Sequence, residues 1–263
     1  MTVKTDQMLA ELRAQSPLVQ CITNYVAMNI AANVVLAAGA SPAMVHSDSE
    51  VADFVPICGA LTINIGTLSP TWVSSMQLAA DTAVASGKPW VLDPVAHFAT
   101  PFRREVARDL VSRNPTIIRG NASEILALTG GTSAGKGADS GDSVADVESA
   151  ATVLALTQGC VIAITGEVDF VTDGTRTARI TGGHAIMPKI TAMGCSLTAL
   201  IGAFAAIAPP LNATVAALAM FAEAGERAGK TAQGSGSFQV AFLDALMQIA
   251  PDDLANDAHV QWL

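Results

Sequence analysis

Residues 60–94 read ALTINIGTLSPTWVSSMQLAADTAVASGKPWVLDP. Residues 60–65 are apolar apart from Thr62 and Asn64 and read as a buried strand. Residues 69–85 read as a helix, and residues 90–92 as a second strand ending at Asp93-Pro94. Strand, crossing helix and strand form the unit of a parallel sheet, because strands running the same way cannot be joined by a tight turn.

The alternation extends both ways. Upstream, residues 4–14 carry Met8, Leu9 and Leu12 on one helical face, and Pro17 stops that helix. Residues 18–22 are a short β-rich run, and Thr23-Asn24 can cap a helix over 26–38. Gly39-Ala40-Ser41-Pro42 is a turn before a strand at 43–45. Ser47 and Glu50 then stand at capping-box spacing for a further helix. Downstream, residues 103–112 are helical, and residues 116–118 are a strand running into Arg119-Gly120-Asn121. Asn121 or Ser123 starts a helix to residue 128. Residues 129–142, rich in Gly, Ser and Asp, form a loop before a helix at 144–157. Residues 160–165 are a strand, and residues 170–172 and 176–180 form a hairpin around Asp173-Gly174. The remainder reads as helices over 194–208, 212–228 and 238–249. The fold class is therefore α/β: a mainly parallel central sheet flanked by helices on both faces, with antiparallel edge strands. Nothing resembles an interdomain linker, so residues 1–263 make one domain.

A net charge of −9 argues against nucleic-acid binding or an anionic membrane surface as partner. The apolar stretch at 197–208 is too short to span a bilayer. Cys21, Cys58, Cys160 and Cys195 show neither metal-ligand spacing nor a disulfide framework, which fits the cytoplasm. A 51% hydrophobic content without a membrane segment suggests that some apolar surface is buried between subunits.

Ligands of parallel sheets bind beyond the carboxyl ends of the strands. Polar residues recur there: Asn24, Asn64-Ile65-Gly66-Thr67, Asp93, Arg119-Gly120-Asn121 with Glu124, Thr165-Gly166, and Gly194-Cys195. Arg119 suits phosphate, and Asp93 with Glu124 suits a hydrated Mg²⁺. Thr191-Ala192-Met193-Gly194-Cys195-Ser196 opens a helix whose free N–H groups and positive dipole end make an anion site. That position also favours the thiolate of Cys195. The plainer alternatives are that Cys195 packs a helix start, Asn24 caps a helix, Asp93 begins a turn and Glu124 sits in a solvated first turn. Met44 reads as core, although a soft side chain at a strand end suits a sulfur heterocycle. Gly130-x4-Gly135-Lys136 is followed by Gly137 and preceded by a helix, so it reads as a solvated loop rather than a phosphate loop. The histidines read as surface or core residues, with only His97 near the strand ends and His259 in a polar tail.

These motifs resemble those of the hydroxyethylthiazole kinases, thiamine-salvage members of the ribokinase-like superfamily. The similar pieces run in family order: residues 17–26 (PLVQCITNYV), 39–44 (GASPAM), 64–68 (NIGTL), 92–95 (LDPV), 118–125 (IRGNASEI) and 194–198 (GCSLT), with Gly236-Ser237-Phe238 near the end. The resemblance implies ATP- and Mg²⁺-dependent phosphorylation of the hydroxyethyl group of 4-methyl-5-(2-hydroxyethyl)thiazole. It also implies a homotrimer with active sites between subunits. On the matching positions, Asn24, Met44, Gly66 and Ala192 would meet the thiazole alcohol; Arg119, Asn121, Thr165 and Gly166 the nucleotide; and Asp93 and Glu124 the metal and phosphates. Gly194 and Cys195 would be catalytic, with Cys195 where related sugar kinases carry an aspartate base. Two departures stand out. Thr191-Ala192-Met193-Gly194-Cys195 replaces the usual Thr-Gly-Thr-Gly-Cys, and Ala96-His97-Phe98 replaces Gly-Ala-Gly. Backbone freedom is reduced at both.

Other activities remain open on the residues alone. A kinase for a related alcohol such as hydroxymethylpyrimidine, or a catalytically weakened thiazole-binding homologue, would keep the same motifs. A cysteine acyl-transfer enzyme would need a histidine beside Cys195 and glycines where Met193 and Leu197 stand.

Overall fold

The computed structural model describes residues 4–130, 144–256 and 258–263. Its elements in chain order are α1 (Thr5–Gln15), β1 (Leu18–Ile22), α2 (Met28–Ala38), β2 (Ser41–Ala43), α3 (Val51–Phe54), β3 (Ala60–Asn64), α4 (Pro70–Ala85), β4 (Trp90–Asp93) and α5 (Pro101–Val111). Then follow β5 (Ile117–Asn121), α6 (Ala122–Leu128), α7 (Val144–Gln158), β6 (Val161–Thr165), β7 (Asp169–Thr172), β8 (Thr177–Ile180), α8 (Met193–Ala205), α9 (Pro210–Thr231), α10 (Ser235–Gln248) and β9 (Val260–Trp262). Among the described residues the strands form one sheet in the order β2-β1-β3-β4-β5-β6-β7-β8-β9. Neighbours from β2 to β6 are parallel, and β6 to β9 are antiparallel.

Strand residues alternate between two apolar layers, as the period of an extended chain requires. Ile162 and Ile164 of β6 face a layer built from α4, α5 and α7, while Val161 and Ala163 face α2, α8, α9 and α10. Helix α8 lies in the middle of the second layer, and every residue of it is buried except Gly194 and Cys195. Gly202 makes that depth possible: a Cβ there would come within 2.3 Å of Thr62 Cγ2. The central helix thus lies directly on the sheet, with its amino end at the carboxyl ends of β3 and β4.

The expected strand–helix alternation is present, with local corrections. Strand β2 covers Ser41–Ala43 rather than 43–45, because Ser41 N–H donates to the Pro17 carbonyl and pairs the chain with β1 earlier. The Ser47/Glu50 capping box does not form. Ser47 Oγ accepts only the Ser49 N–H, and the short α3 starts after Glu50 with no side-chain cap. Helix α2 begins at Met28 rather than Val26, because Asn24 Oδ1 first holds the Val26 and Ala27 N–H groups in a turn. The carboxyl end is not wholly helical: β9 adds the last strand. The loop expected over residues 131–142, with the Gly135-Lys136 part of the phosphate-loop look-alike, lies outside the described residues.

Candidate active site

A cleft of about 900 Å³ opens above the amino end of α8. Its walls include Asp93 from the end of β4, Arg119 and Asn121 from β5, Glu124 from α6 and Thr165-Gly166 at the end of β6. The first turn of α8 contributes Ala192, Gly194 and Cys195. Residues separated by a hundred positions or more meet because each ends a parallel strand or starts the helix packed on that sheet.

Asp93 is fully buried, and its Oδ2 accepts hydrogen bonds from Asn64 Nδ2 at 2.7 Å and Thr198 Oγ1 at 2.8 Å. Arg119 NH1 lies 3.5 Å from the same oxygen. Asp93 Oδ1 has no partner, and neither has Arg119 Nε, although both are buried. Burial pushes the Asp93 carboxyl up to about 6, against the pull of Arg119. Arg119 also donates to Thr165 Oγ1. The edge of its guanidinium points at Gly194, where a Cβ would come within 2.6 Å of both terminal nitrogens. A side chain at 194 would therefore push the arginine away from Thr165 and Asp93.

The hydrogen bonds continue past Asp93. Asn64 Oδ1 accepts from Asn24 Nδ2 at 2.8 Å and from the Gly66 N–H at 2.9 Å, and Asn24 Nδ2 is 3.4 Å from Cys195 Sγ. The ends of β1, β3 and β4 are thus tied to the first turn of α8. The helix-capping reading of Asn24 does not hold: α2 has no side-chain cap, and Asn24 Oδ1 instead holds the turn before that helix while its amide reaches Cys195. A Cβ at Gly66 would strike Asn24 at 2.6 Å, which keeps position 66 glycine.

The thiolate expectation for Cys195 is overturned. Burial, then the neighbouring Asp93 charge, push its thiol up to about 11, outweighing the amides and Arg119. Cys195 is a neutral thiol at physiological pH. Among the described residues no histidine is hydrogen-bonded to it, which removes the acyl-transfer reading. His97 is a buried core histidine whose Nε2 meets the Glu124 carbonyl. His259 is not in a free polar tail; it is buried beside Thr181 and Glu223.

Glu124 does not sit in a solvated turn either. Its Oε2 accepts the Asn121 N–H at 2.8 Å, its Oε1 accepts the Ala96 N–H at 2.9 Å, and Asn121 Oδ1 accepts the Glu124 N–H. This capping box with Asn121 fastens β5, α6 and the loop after β4 together at the cleft rim. Gly166 donates its N–H to Asp169 Oδ1 at 2.9 Å. Ala192, at φ +60°, and Ala96, at φ +48°, both adopt the left-handed backbone usual for glycine. Met44 and Gly66 do not line the cleft. They stand with Asn24 on the opposite side of Cys195, Met44 half-buried just past the edge strand β2. Nearby, Trp72 stacks on His46 and meets Tyr25 at a tilt of 43°, with ring centroids 4.7 Å apart in each pair, and Tyr25 is 66% exposed.

Sequence reasoning noticed Asn64 and Thr198 without giving them a role. An asparagine inside an apolar strand was the available signal for the first. It missed Arg103, which donates to the carbonyls of Ile65, Gly66 and Val95, since backbone acceptors leave no pattern in a sequence.

A buried carboxylate, an arginine and a helix amino end around one cleft are the parts of a phosphoryl-transfer site. Residues 9–252 match the Hydroxyethylthiazole kinase family. The chain belongs to that family. Hydroxyethylthiazole kinase of Roseobacter denitrificans is 63% identical over 249 residues, 95% of this chain and 97% of that one. The hydroxyethylthiazole kinase structure from Pyrococcus horikoshii OT3 superposes with a TM-score of 0.91 at 38% identity, covering 98% of each chain. A ribokinase-like superfamily protein from Enterococcus faecalis shares the fold, with a TM-score of 0.67 at 12% identity over 94% of this chain and 95% of that one. The chain is accordingly a ribokinase-like kinase of the hydroxyethylthiazole kinase family.

Proposed function

We propose that the protein transfers the γ-phosphoryl group of ATP to the primary alcohol of 4-methyl-5-(2-hydroxyethyl)thiazole, in thiamine salvage. The observation that carries this reading is the meeting of Asp93, Arg119 and the amino end of α8 around Cys195, in a chain of this family. Arg119 and Thr165 hold the phosphates, and the Gly194 and Cys195 amides face the transferring group. Asn24, Gly66, Met44 and Ala192 bound the acceptor side. Cys195 thus stands between nucleotide and alcohol.

The donor set fits Mg²⁺. Asp93 Oδ1 is an acidic, unpartnered oxygen at the cleft, and it is the atom that would hold the ion. Glu124, with both oxygens engaged by amides, supports the rim behind it rather than offering a free ligand. When bound, Mg²⁺ supplies neutralisation of phosphate charge. Cys195 works without becoming a thiolate. A loose transition state asks little early proton removal, so the thiol's contribution is contact with the alcohol and a hydrogen bond from Asn24.

A homotrimer fits the exposed Tyr25 and Val26, which flank the acceptor side and would be covered by a second subunit. The four unpaired cysteines fit the cytoplasm. No described helix is long and apolar enough to cross a membrane.

A coupled assay of ATP consumption across thiazole and pyrimidine alcohols tests the reading, with Mg²⁺ supplied or chelated. Turnover is expected with the thiazole, dependent on Mg²⁺, and sedimentation is expected to give a trimer. Cys195→Ala should lower kcat while leaving measurable turnover. Preference for hydroxymethylpyrimidine, or thiazole binding without ATP consumption, would overturn the assignment.

A further inference from the structure

The cleft floor crosses the sheet as a row of strand ends, and one member of that row has no role so far. Leu92 pairs with Ile118, which sets Asp93 beside Arg119. Asn121 pairs with Thr165, Ile164 with Phe170, and Asp169 with Ile180. The order from the transfer centre outward is therefore Asp93, Arg119, Thr165, Asp169, Ile180. Four strand spacings measure about 19 Å, room for an outstretched nucleotide.

The chemistry along the row changes in one direction. Asp93, Arg119 and Thr165 are polar and stand beside the amino end of α8. At the other end Ile180 joins Met187, Ile190, Leu218 and Phe221, an apolar slot suited to a flat base. Asp169 lies between them on the cleft face, on the same side of β7 as Val171, whose side chain packs in the layer of α8 and α9. One of its oxygens, Oδ1, accepts the Gly166 N–H at 2.9 Å. A carboxylate between a phosphate site and a base site matches the one part of a nucleotide that offers two neighbouring hydroxyl donors.

We infer that Asp169 is a specificity-determining residue that accepts hydrogen bonds from the ribose hydroxyls of the nucleotide, and so selects ribonucleotides over deoxyribonucleotides. This inference rests on ATP occupying the cleft. Burial pushes the carboxyl up to about 6, with the Gly166 amide and Arg119 pulling it down, so it is ionised and a strong acceptor at pH 8. A buried acceptor left without its donor penalises the wrong ligand, which is how a polar site rejects an analogue lacking one hydroxyl.

The test compares kcat/KM for ATP, 2′-deoxy-ATP and 3′-deoxy-ATP at pH 8 in the wild-type enzyme, Asp169→Asn and Asp169→Ala. Wild-type turnover with ATP tests the nucleotide reading by itself; the ratio between nucleotides tests Asp169. The wild type should prefer ATP to at least one deoxy analogue by about tenfold or more. Asp169→Ala should bring that ratio close to one, and Asp169→Asn, isosteric and still an acceptor, should leave it intermediate. If Asp169 only holds the Gly166 turn, both variants lower kcat/KM for all three nucleotides by the same factor. That result, or a wild type indifferent to the deoxy analogues, overturns the inference.

Discussion

At the scale of single residues, Asp93, like Asp169, carries a strong pH dependence. Its ordinary value of 3.8 is raised to about 6 by burial, with Arg119 opposing. Holding the ionised form in place therefore costs about 3 kcal/mol relative to water. A raised carboxyl value means that the native state keeps its proton longer than the unfolded chain, so this group's contribution to stability falls between pH 4 and 6. The melting temperature of Asp93→Asn minus that of the wild type should rise with pH across that window and level off above 7. A difference that stays flat would refute the assignment. Activity should move the other way, with wild-type kcat/KM dropping below about pH 6 as the oxygen proposed to hold Mg²⁺ is protonated. The left-handed alanines give a separate test. An Ala at positive φ is strained by about 1 kcal/mol, so Ala192→Gly should stabilise the protein by about 0.5–1 kcal/mol in denaturant titration. An unchanged or lower midpoint would show that the turn is not strained.

At the scale of elements, the strand–helix alternation was readable from the start, since residues 60–94 alone supply β3, α4 and β4. The positions of Asp93, Arg119 and Cys195 followed from that alternation, because the ends of parallel strands lie along one edge. Less was readable where a polar side chain serves the backbone. Glu124 had a metal-like address and proved to be half of a capping box, and a sequence cannot tell a carboxylate that takes amides from one that takes a cation. The sign of the Cys195 shift was also hidden. The helix amino end argued for a thiolate, but the depth of the site and the Asp93 charge came from tertiary packing and prevailed. Arg103 belongs to this scale too. From α5 it reaches Ile65 and Val95 at 2.9 Å and Gly66 at 2.6 Å, joining the loops after β3 and β4. Arg103→Ala should cost about 2 kcal/mol through unpaired carbonyls. It should also raise KM for the thiazole alcohol more than KM for ATP, since the tethered loops carry Gly66 and lead to Asn24. Equal changes in both constants would mean that the arginine supports the fold alone.

At the scale of the whole molecule, the end of the chain closes the far wall of the cleft. Strand β9 pairs with β8, and Thr181 N–H donates to the His259 carbonyl at 2.9 Å. The His259 ring then bridges Thr181 O through Nδ1 at 2.9 Å and Glu223 Oε2 of α9 through Nε2 at 2.8 Å. Gly182, at φ +115°, packs so closely that a Cβ would come within 2.6 Å of His259 Nδ1, and Gly183 N–H donates to the Ala222 carbonyl. A three-residue strand of mixed polarity carries too little pattern to be read, which is why this anchor looked like a tail. Thr181, Gly182 and Gly183 line the same end of the cleft as Ile180, so what fixes them also shapes the part of the cleft proposed to take the nucleotide base. His259→Ala should therefore raise KM for ATP several-fold with kcat little changed, and should lower stability by about 2 kcal/mol at neutral pH. Burial raises the Glu223 carboxyl, but hydrogen bonds from His259 and Arg227 outweigh it and hold the group below its usual 4.5. A lowered carboxyl value adds stability that is present above the unfolded value and is lost as pH falls through the folded one. The stability gap between wild type and variant should consequently narrow as pH drops from 5 to 3 in thermal melts. A gap independent of pH, together with an unaltered KM for ATP, would separate the carboxyl end from the wall it touches.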